Sequence, residues 1–461
     1  MMARGQAQAR SLVAGEVVRD RILLILLAFV MTCFGLLMIY SASSIMAVTS
    51  ADSNYDQFYY VKRQAILACG GLAMALVASR MDYHAWARTL RTPIAVLSAL
   101  LLALVLTPLA GADAYGATRW VAIGPIHLQP SEFSKAAIIA CGASLMEDWM
   151  GGYVDDRRDF VLKLFGMIGL PLFMILMQPD KGTVLVVGIT LVLMLYIAGV
   201  PLKLVGSVFF AAVLFIGVLA MLDDYSRRRI LIVVNPWLDQ FDRGYQLIQG
   251  LYAFGAGGLF GVGLGMSRQK YYYLPMAHND FIYAVVGEEL GLVGTLGVLA
   301  AFFLLVYLGF RIARNAPDLC GRLIAAGCVS LLAIQLLVNV SGLLCIIPLS
   351  GKPIPFLSYG GSSIMSTLLM IGMVVSVSRQ AQVAAGASDY DAYEAFSPAP
   401  ALSAPSGRLR VVQGGRSTSP RDIRAERDLQ QSYGAGRITT NRNGSRRIDL
   451  GPSASDRLRR R

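Results

Sequence analysis

The stretch Tyr271–Gly294, YYYLPMAHNDFIYAVVGEELGLVG, decides how the chain is read. It has the apolar run of a transmembrane helix mouth, yet it carries His278, Asp280, Glu288 and Glu289. An ionisable group at or inside a bilayer costs several kcal/mol, less where it snorkels or faces water. Acids in such a place call for a polar surrounding that the protein itself provides.

The rest of the chain supplies the membrane context. Its 461 residues would suffice for two or three soluble domains, but 55% are hydrophobic and only 15% charged, and the mean hydropathy is +0.56. Apolar runs of roughly 18 or more residues, the length of a membrane span, recur along it. The expected fold is an all-α polytopic membrane protein with about ten transmembrane helices. These fall near 22–42, 62–79, 92–110, 131–147, 160–177, 182–200, 202–221, 280–308, 322–346 and 359–378. A polar, basic segment 1–21 precedes them, with no cleavable signal, and the first apolar run is expected to stay as a span. The six cysteines show no CxxC spacing and read as packing residues; the three histidines lie far apart and form no metal motif.

Lysine and arginine set the orientation. Arg4, Arg10, Arg19 and Arg21, then Arg80, Arg88 and Arg91, then Arg311, Arg314 and Arg322 place those segments in the cytoplasm. The C-terminal tail 379–461 belongs there too; it holds fifteen arginines, no lysine and eight acids, a net +7. Rich in Ser, Gly and Pro, it reads as disordered and suited to anionic lipid headgroups. No aromatic residues interleave its terminal arginine clusters, which argues against nucleic acid. The outer face then holds loops 43–61, 111–130, 222–279 and 347–358. The long extracytoplasmic loop 222–279, between helices 7 and 8, is of a length usually tied to function. Its apolar, glycine-rich part 250–265 suits the membrane interface.

Polar motifs converge on that outer face. In QPSEFSKAAIIA (Gln129–Ala140), Glu132 and Lys135 share a helix face at i and i+3. They read either as an ion pair snorkelling to the interface or as the charged wall of a cavity. In QPDKGT (Gln178–Thr183), Asp180 is a candidate helix N-cap. Arg63 and Arg119 are the outer cations best placed for an anion, because a guanidinium fork matches phosphate; each read alone also suits a lipid-headgroup anchor. KPIPFLSYGGSS (Lys352–Ser363) opens the last helix with backbone amides that can hold phosphate, and it is no Walker loop.

Asp280 opens an apolar helix and reads as an N-cap or as a catalytic carboxylate at the water–lipid boundary. Ala284, Gly287, Gly291 and Gly294 form a small-residue stripe below it, suited to close helix packing or to a groove for a lipid tail. Glu288 and Glu289 lie roughly 12 Å deeper and read as structural.

Together GATRW, QPSEFSK, QPDKGT, GYQLIQGLYAFGAGGLFGVGLG, YLPMAHNDFIYAVVGEELG and PFLSYGGSS, in this order over roughly residues 20–380, resemble the SEDS family of cell-wall polymerases (shape, elongation, division and sporulation). Within it, the SRQKYYYLPMAHNDF wording is similar to the division branch more than to the elongation branch.

The resemblance implies a ten-helix core over 22–378 that polymerises lipid II into glycan strands outside the cytoplasmic membrane, during division. It puts the family's essential aspartate on Asp280, with Arg63, Arg119, Glu132, Lys135, Asp180, Gln249, Lys270 and Ser358 towards substrate, and His278, Glu288 and Glu289 in support. Lys181 departs from the family's usual apolar or aromatic residue. A class B penicillin-binding protein, other division proteins and membrane lipids are the implied partners. No organic cofactor is implied; a divalent cation, Mg or Mn, would suit the diphosphate. A lipid II flippase and a non-enzymatic division scaffold are the competing readings.

Overall fold

The computed structural model describes residues 2–107, 111–114, 117–123, 126–154, 156–222, 232–233, 235–241, 243–396, 437–440 and 446–449. In chain order these form α1 (Met2–Thr49), α2 (Tyr59–Arg80), α3 (Arg91–Leu106), three strands β1 (Gly111–Ala114), β2 (Ala117–Ile123) and β3 (Ile126–Leu128), and α4 (Pro130–Met150). Then come α5 (Arg157–Leu164) and α6 (Leu170–Met177), joined by a π-helical turn, α7 (Lys181–Ile197), α8 (Leu202–Leu222), α9 (Arg243–Gly257), α10 (Ile282–Arg314), α11 (Leu319–Leu343) and α12 (Gly361–Phe396). Phe396–Arg461 is a separate unit, in which β4 (Arg437–Thr440) pairs antiparallel with β5 (Arg446–Asp449).

Six of the described helical stretches are long and apolar enough to cross a membrane: Gly15–Thr49, Tyr59–Arg80, Arg157–Met177, Ile282–Arg314, Leu319–Leu343 and Gly361–Val383. Three shorter apolar helices, Arg91–Leu106, Lys181–Ile197 and Leu202–Phe215, join them. With α4, whose charged residues lower its hydropathy, they match the ten expected positions. The chain is a multi-pass membrane protein. The most apolar 18-residue windows of Leu319–Leu343 and Gly361–Val383 are 83% buried, against 22–33% for those of the other four long spans, so α11 and α12 lie at the centre of the protein. Ile22, Leu26 and Phe29 of α1 and Leu97 and Leu100 of α3 point outward, as lipid replaces water for an apolar surface.

Four features differ from the sequence reading. Loop 111–130 holds a small antiparallel sheet, Val121 standing between Gly111 and Leu128, in an otherwise all-α fold. The long loop contains α9, an amphipathic surface helix; residues 223–231, 234 and 242 of that loop lie outside the described set. The last helix runs past 378 to Phe396, and residues 397–436 of the tail lie outside the described set.

Finally, α10 is broken at Gly291, where φ is 65° and ψ −160°. Segment 258–263 fills the break: Val262 N donates to Glu288 O (2.9 Å) and Gly263 N to Glu289 O (3.0 Å), while Leu292 N donates to Gly258 O (2.9 Å). Backbone groups freed at membrane depth are thereby re-satisfied within the protein. Close backbone approach explains the stripe of small residues. A Cβ on Gly257 would stand 1.9 Å from Gly287 O. The stripe is packed by α9 and the following loop, with Phe254 against Gly287, and leaves no groove for a lipid tail at that position.

Candidate active site

The start of α2, the start of α10, the end of α11 and the start of α12 meet around segment 350–360, and four polar side chains hold that segment in place. Gln335 and Asn339 stand one turn apart on α11, on a shared face. Gln335 Nε2 donates to Pro353 O (2.6 Å), and Asn339 Nδ2 donates to Lys352 O (2.8 Å) and to Asp280 O (3.1 Å). From α2, Gln64 Nε2 donates to Ser358 O (3.4 Å) and its Oε1 accepts from Gly360 N (3.2 Å). Ser358 Oγ closes the turn by accepting from Ile354 N (2.8 Å), so this buried hydroxyl serves the loop.

Two buried ion pairs lie behind this segment. Asp180 caps α7, accepting from Thr183 N (3.2 Å) and Thr183 Oγ1 (2.9 Å), and its Oδ2 meets Lys352 Nζ at 2.6 Å. The N-cap expectation for Asp180 thus describes part of its environment; Lys352, Gln129 Nε2 (3.3 Å) and Ser131 Oγ (3.4 Å) supply the rest. Glu132 and Lys135 pair at 2.7 Å with side chains 1% exposed. Lys135 Nζ also donates to Gln335 Oε1 (2.8 Å), and Ser366 Oγ of α12 donates to Glu132 Oε2 (3.2 Å). Neither head group snorkels, and neither faces an open cavity. Removing one partner of such a pair leaves an uncompensated buried charge.

The remaining acids are also turned inward. Glu288 accepts from Ser267 Oγ and from Arg268 N (2.8 Å). Glu289 accepts from Ser41 Oγ of α1 (2.6 Å), and Lys270 Nζ, 3.5 Å away, is shared with Gly265 O. The two glutamates dock the 265–270 turn. The Lys270 ammonium is committed to that turn. Arg119 is committed as well: its Nε donates to Gln178 O (3.0 Å) and Nη2 to Pro179 O (2.7 Å), so its fork holds the QPDKGT turn. Gln249 is half-buried on α9, one turn from Gln246, which donates to Pro275 O (2.9 Å).

Asp280 is different. The N-cap of α10 is Phe281, so Asp280 stands one residue outside the helix and is not its cap. It is half-buried, and its Oδ2 lies 3.4 Å from the position a Cβ on Gly351 would take. Two residues earlier, His278 is buried in an aromatic cluster, with ring centroids 4.7 Å from Tyr60 and 5.4 Å from Tyr359. Tyr359 N donates to His278 O (2.9 Å). Burial pushes the His278 imidazole down to about 4, so it is neutral near pH 7. Arg63, half-buried one turn above Tyr59, reaches Tyr59 Oη (3.5 Å) and His127 Nδ1 (3.3 Å). The tyrosines and the α11 amides were missed from sequence; the signal available was two amides at i and i+4 in an otherwise apolar span.

Among the described residues, no three His, Cys, Asp or Glu side chains converge as a metal site.

The sequence matches the profile of the FtsW/RodA/SpoVE family, described as cell cycle proteins, over residues 21–383. A relative in Geobacter metallireducens described as "Probable peptidoglycan glycosyltransferase FtsW" is 41% identical over 371 residues, 79% of this chain and 96% of that protein. Stage V sporulation protein E of Bacillus subtilis is 39% identical over 360 residues, 78% of this chain and 96% of that protein. Among solved structures, a chain from a peptidoglycan synthase complex that coordinates polymerization and crosslinking superposes with a TM-score of 0.61 at 30% identity, over 78% of this chain and 97% of that one. The rod shape determining protein RodA of Thermus thermophilus gives 0.56 at 27% identity, over 77% and 96%. The match begins in α1, ends within α12 and takes in every block around segment 350–360, so the chain belongs to the FtsW/RodA/SpoVE family of cell cycle proteins, the SEDS family.

Proposed function

We propose that Asp280 is the general base with which this chain polymerises lipid II at the outer face of the cytoplasmic membrane. The chain is a SEDS peptidoglycan glycosyltransferase of the division type. One observation carries the assignment of the base. Glu132, Asp180, Glu288 and Glu289 are fully buried, whereas Asp280 is half-buried beside the 350–360 segment.

In the reaction, the acceptor sugar hydroxyl attacks the anomeric carbon of the donor. Its proton passes to the Asp280 carboxylate as the new C–O bond forms. The bond from the anomeric carbon to the diphosphate oxygen breaks, and undecaprenyl diphosphate leaves with the electron pair. One carboxylate suffices, because a diphosphate leaves without protonation; direct displacement inverts the anomeric carbon. Arg63 is the cation placed beside the mouth to stabilise charge on the diphosphate. Neutral His278 cannot supply that charge. A divalent cation carried by the diphosphate itself would add to this charge, and no step above depends on it.

An apolar cavity of about 380 Å³, lined by Met74, Leu97, Phe133, Ala137, Leu369 and Met373, opens between α2, α3, α4 and α12 and suits a polyprenyl chain. We place both termini in the cytoplasm, the protein at the division septum, and a class B penicillin-binding protein as the partner that crosslinks the strands. Purified protein, with and without that partner, should convert labelled lipid II into glycan ladders. Movement of lipid II across vesicles without any ladder would favour a flippase instead.

A further inference from the structure

On the opposite face, the ends of α7, α10 and α11 enclose a cavity of about 510 Å³ lined by Arg311, Arg314 and Arg322, with Ile197, Tyr307 and Phe310. None of the residues lining it is an acid. Arg311 is already neutralised from α1: its Nε lies 2.9 Å from Asp20 and its Nη2 3.2 Å from Glu16. Its guanidinium also stands 5.8 Å from the centre of the Tyr307 ring. Arg314 and Arg322 are exposed, and among the described residues neither has a carboxylate partner.

We propose that this cavity binds the phosphate headgroup of an anionic phospholipid. Two uncommitted guanidinium forks present paired donors to phosphodiester oxygens. Ile197, Tyr307 and Phe310 supply an apolar wall for the first part of an acyl chain, at the level where a helix leaves the bilayer. Basic pockets between helices on the cytoplasmic side are where such headgroups bind, and the inference rests on the orientation set by the arginine-rich loops. The site lies at the far end of α10 from Asp280 and takes no part in the glycosyl transfer described above.

Native mass spectrometry of the full chain in detergent, titrated with phosphatidylglycerol, tests this. The wild type should retain one phosphatidylglycerol that the double variant Arg314→Gln/Arg322→Gln binds about tenfold or more weakly, at roughly 1 kcal/mol per arginine. The control Arg157→Gln/Arg158→Gln removes two exposed arginines elsewhere on the same face and should bind as wild type does. Phosphatidylcholine should bind all three proteins equally weakly. Equal losses in both double variants would reduce the effect to general surface attraction and overturn the site. Unchanged binding in Arg314→Gln/Arg322→Gln would overturn it too. Inorganic phosphate that displaces the lipid completely would reassign the cavity to a soluble anion.

Discussion

The side-chain amide of Asn339 donates to two backbone carbonyls at once, Asp280 O at 3.1 Å and Lys352 O at 2.8 Å. One group in the central helix thereby fixes the proposed base against the segment that faces it. Asn339→Asp keeps the size and removes the donor. It should lower the rate of lipid II polymerisation about tenfold to a hundredfold, the effect of misplacing a catalytic group by ~1 Å. The affinity for lipid II should change far less, which a steady-state comparison of kcat with KM will show.

The buried pair Asp180–Lys352, at 2.6 Å, predicts strong coupling. Asp180→Asn and Lys352→Met should each destabilise the protein by about 3–5 kcal/mol, since each leaves a buried charge alone. The double variant should be less destabilised than the sum of the two, as thermal unfolding in detergent will measure.

His278 gives the protein an acid limit. The folded state holds its imidazole at about 4 against 6.5 in the unfolded chain, because burial disfavours the charged ring. The unfolded chain therefore binds the proton more readily, and stability present above pH 6.5 is lost as pH falls towards 4. The slope approaches about 1.4 kcal/mol per pH unit. His278→Phe keeps an aromatic ring beside Tyr60 and Tyr359 and should flatten this part of the unfolding profile.

Arg63 and Arg119 should separate in their effects. Arg119 spends its fork on the Gln178 and Pro179 carbonyls, so Arg119→Lys should cost about 1–2 kcal/mol of stability and leave the KM for lipid II little changed. Arg63→Lys should lower kcat/KM about tenfold or more with little loss of stability.

The ten helix positions were legible because span length and apolar runs are local properties of the chain. The outer motifs were legible because charge in an apolar chain is conspicuous. What sequence alone did not show depends on partners distant along the chain. The break at Gly291 exists only because segment 258–263 arrives to fill it. Lys352 becomes half of an ion pair only when α7 brings Asp180 to it, and Arg119 finds the Gln178 and Pro179 carbonyls only when β2 crosses the QPDKGT turn. Short strands with Gly and Ala, as in GADA, carry too little hydrophobic alternation to announce a sheet.

The most direct test of the account compares the wild type with Asp280→Asn in polymerisation of labelled lipid II, both purified with the partner transpeptidase and matched for thermal stability. The account predicts that the glycan ladder is lost in Asp280→Asn while the fold and partner binding are retained. Ladders of equal length and rate from both proteins would contradict Asp280 as the base.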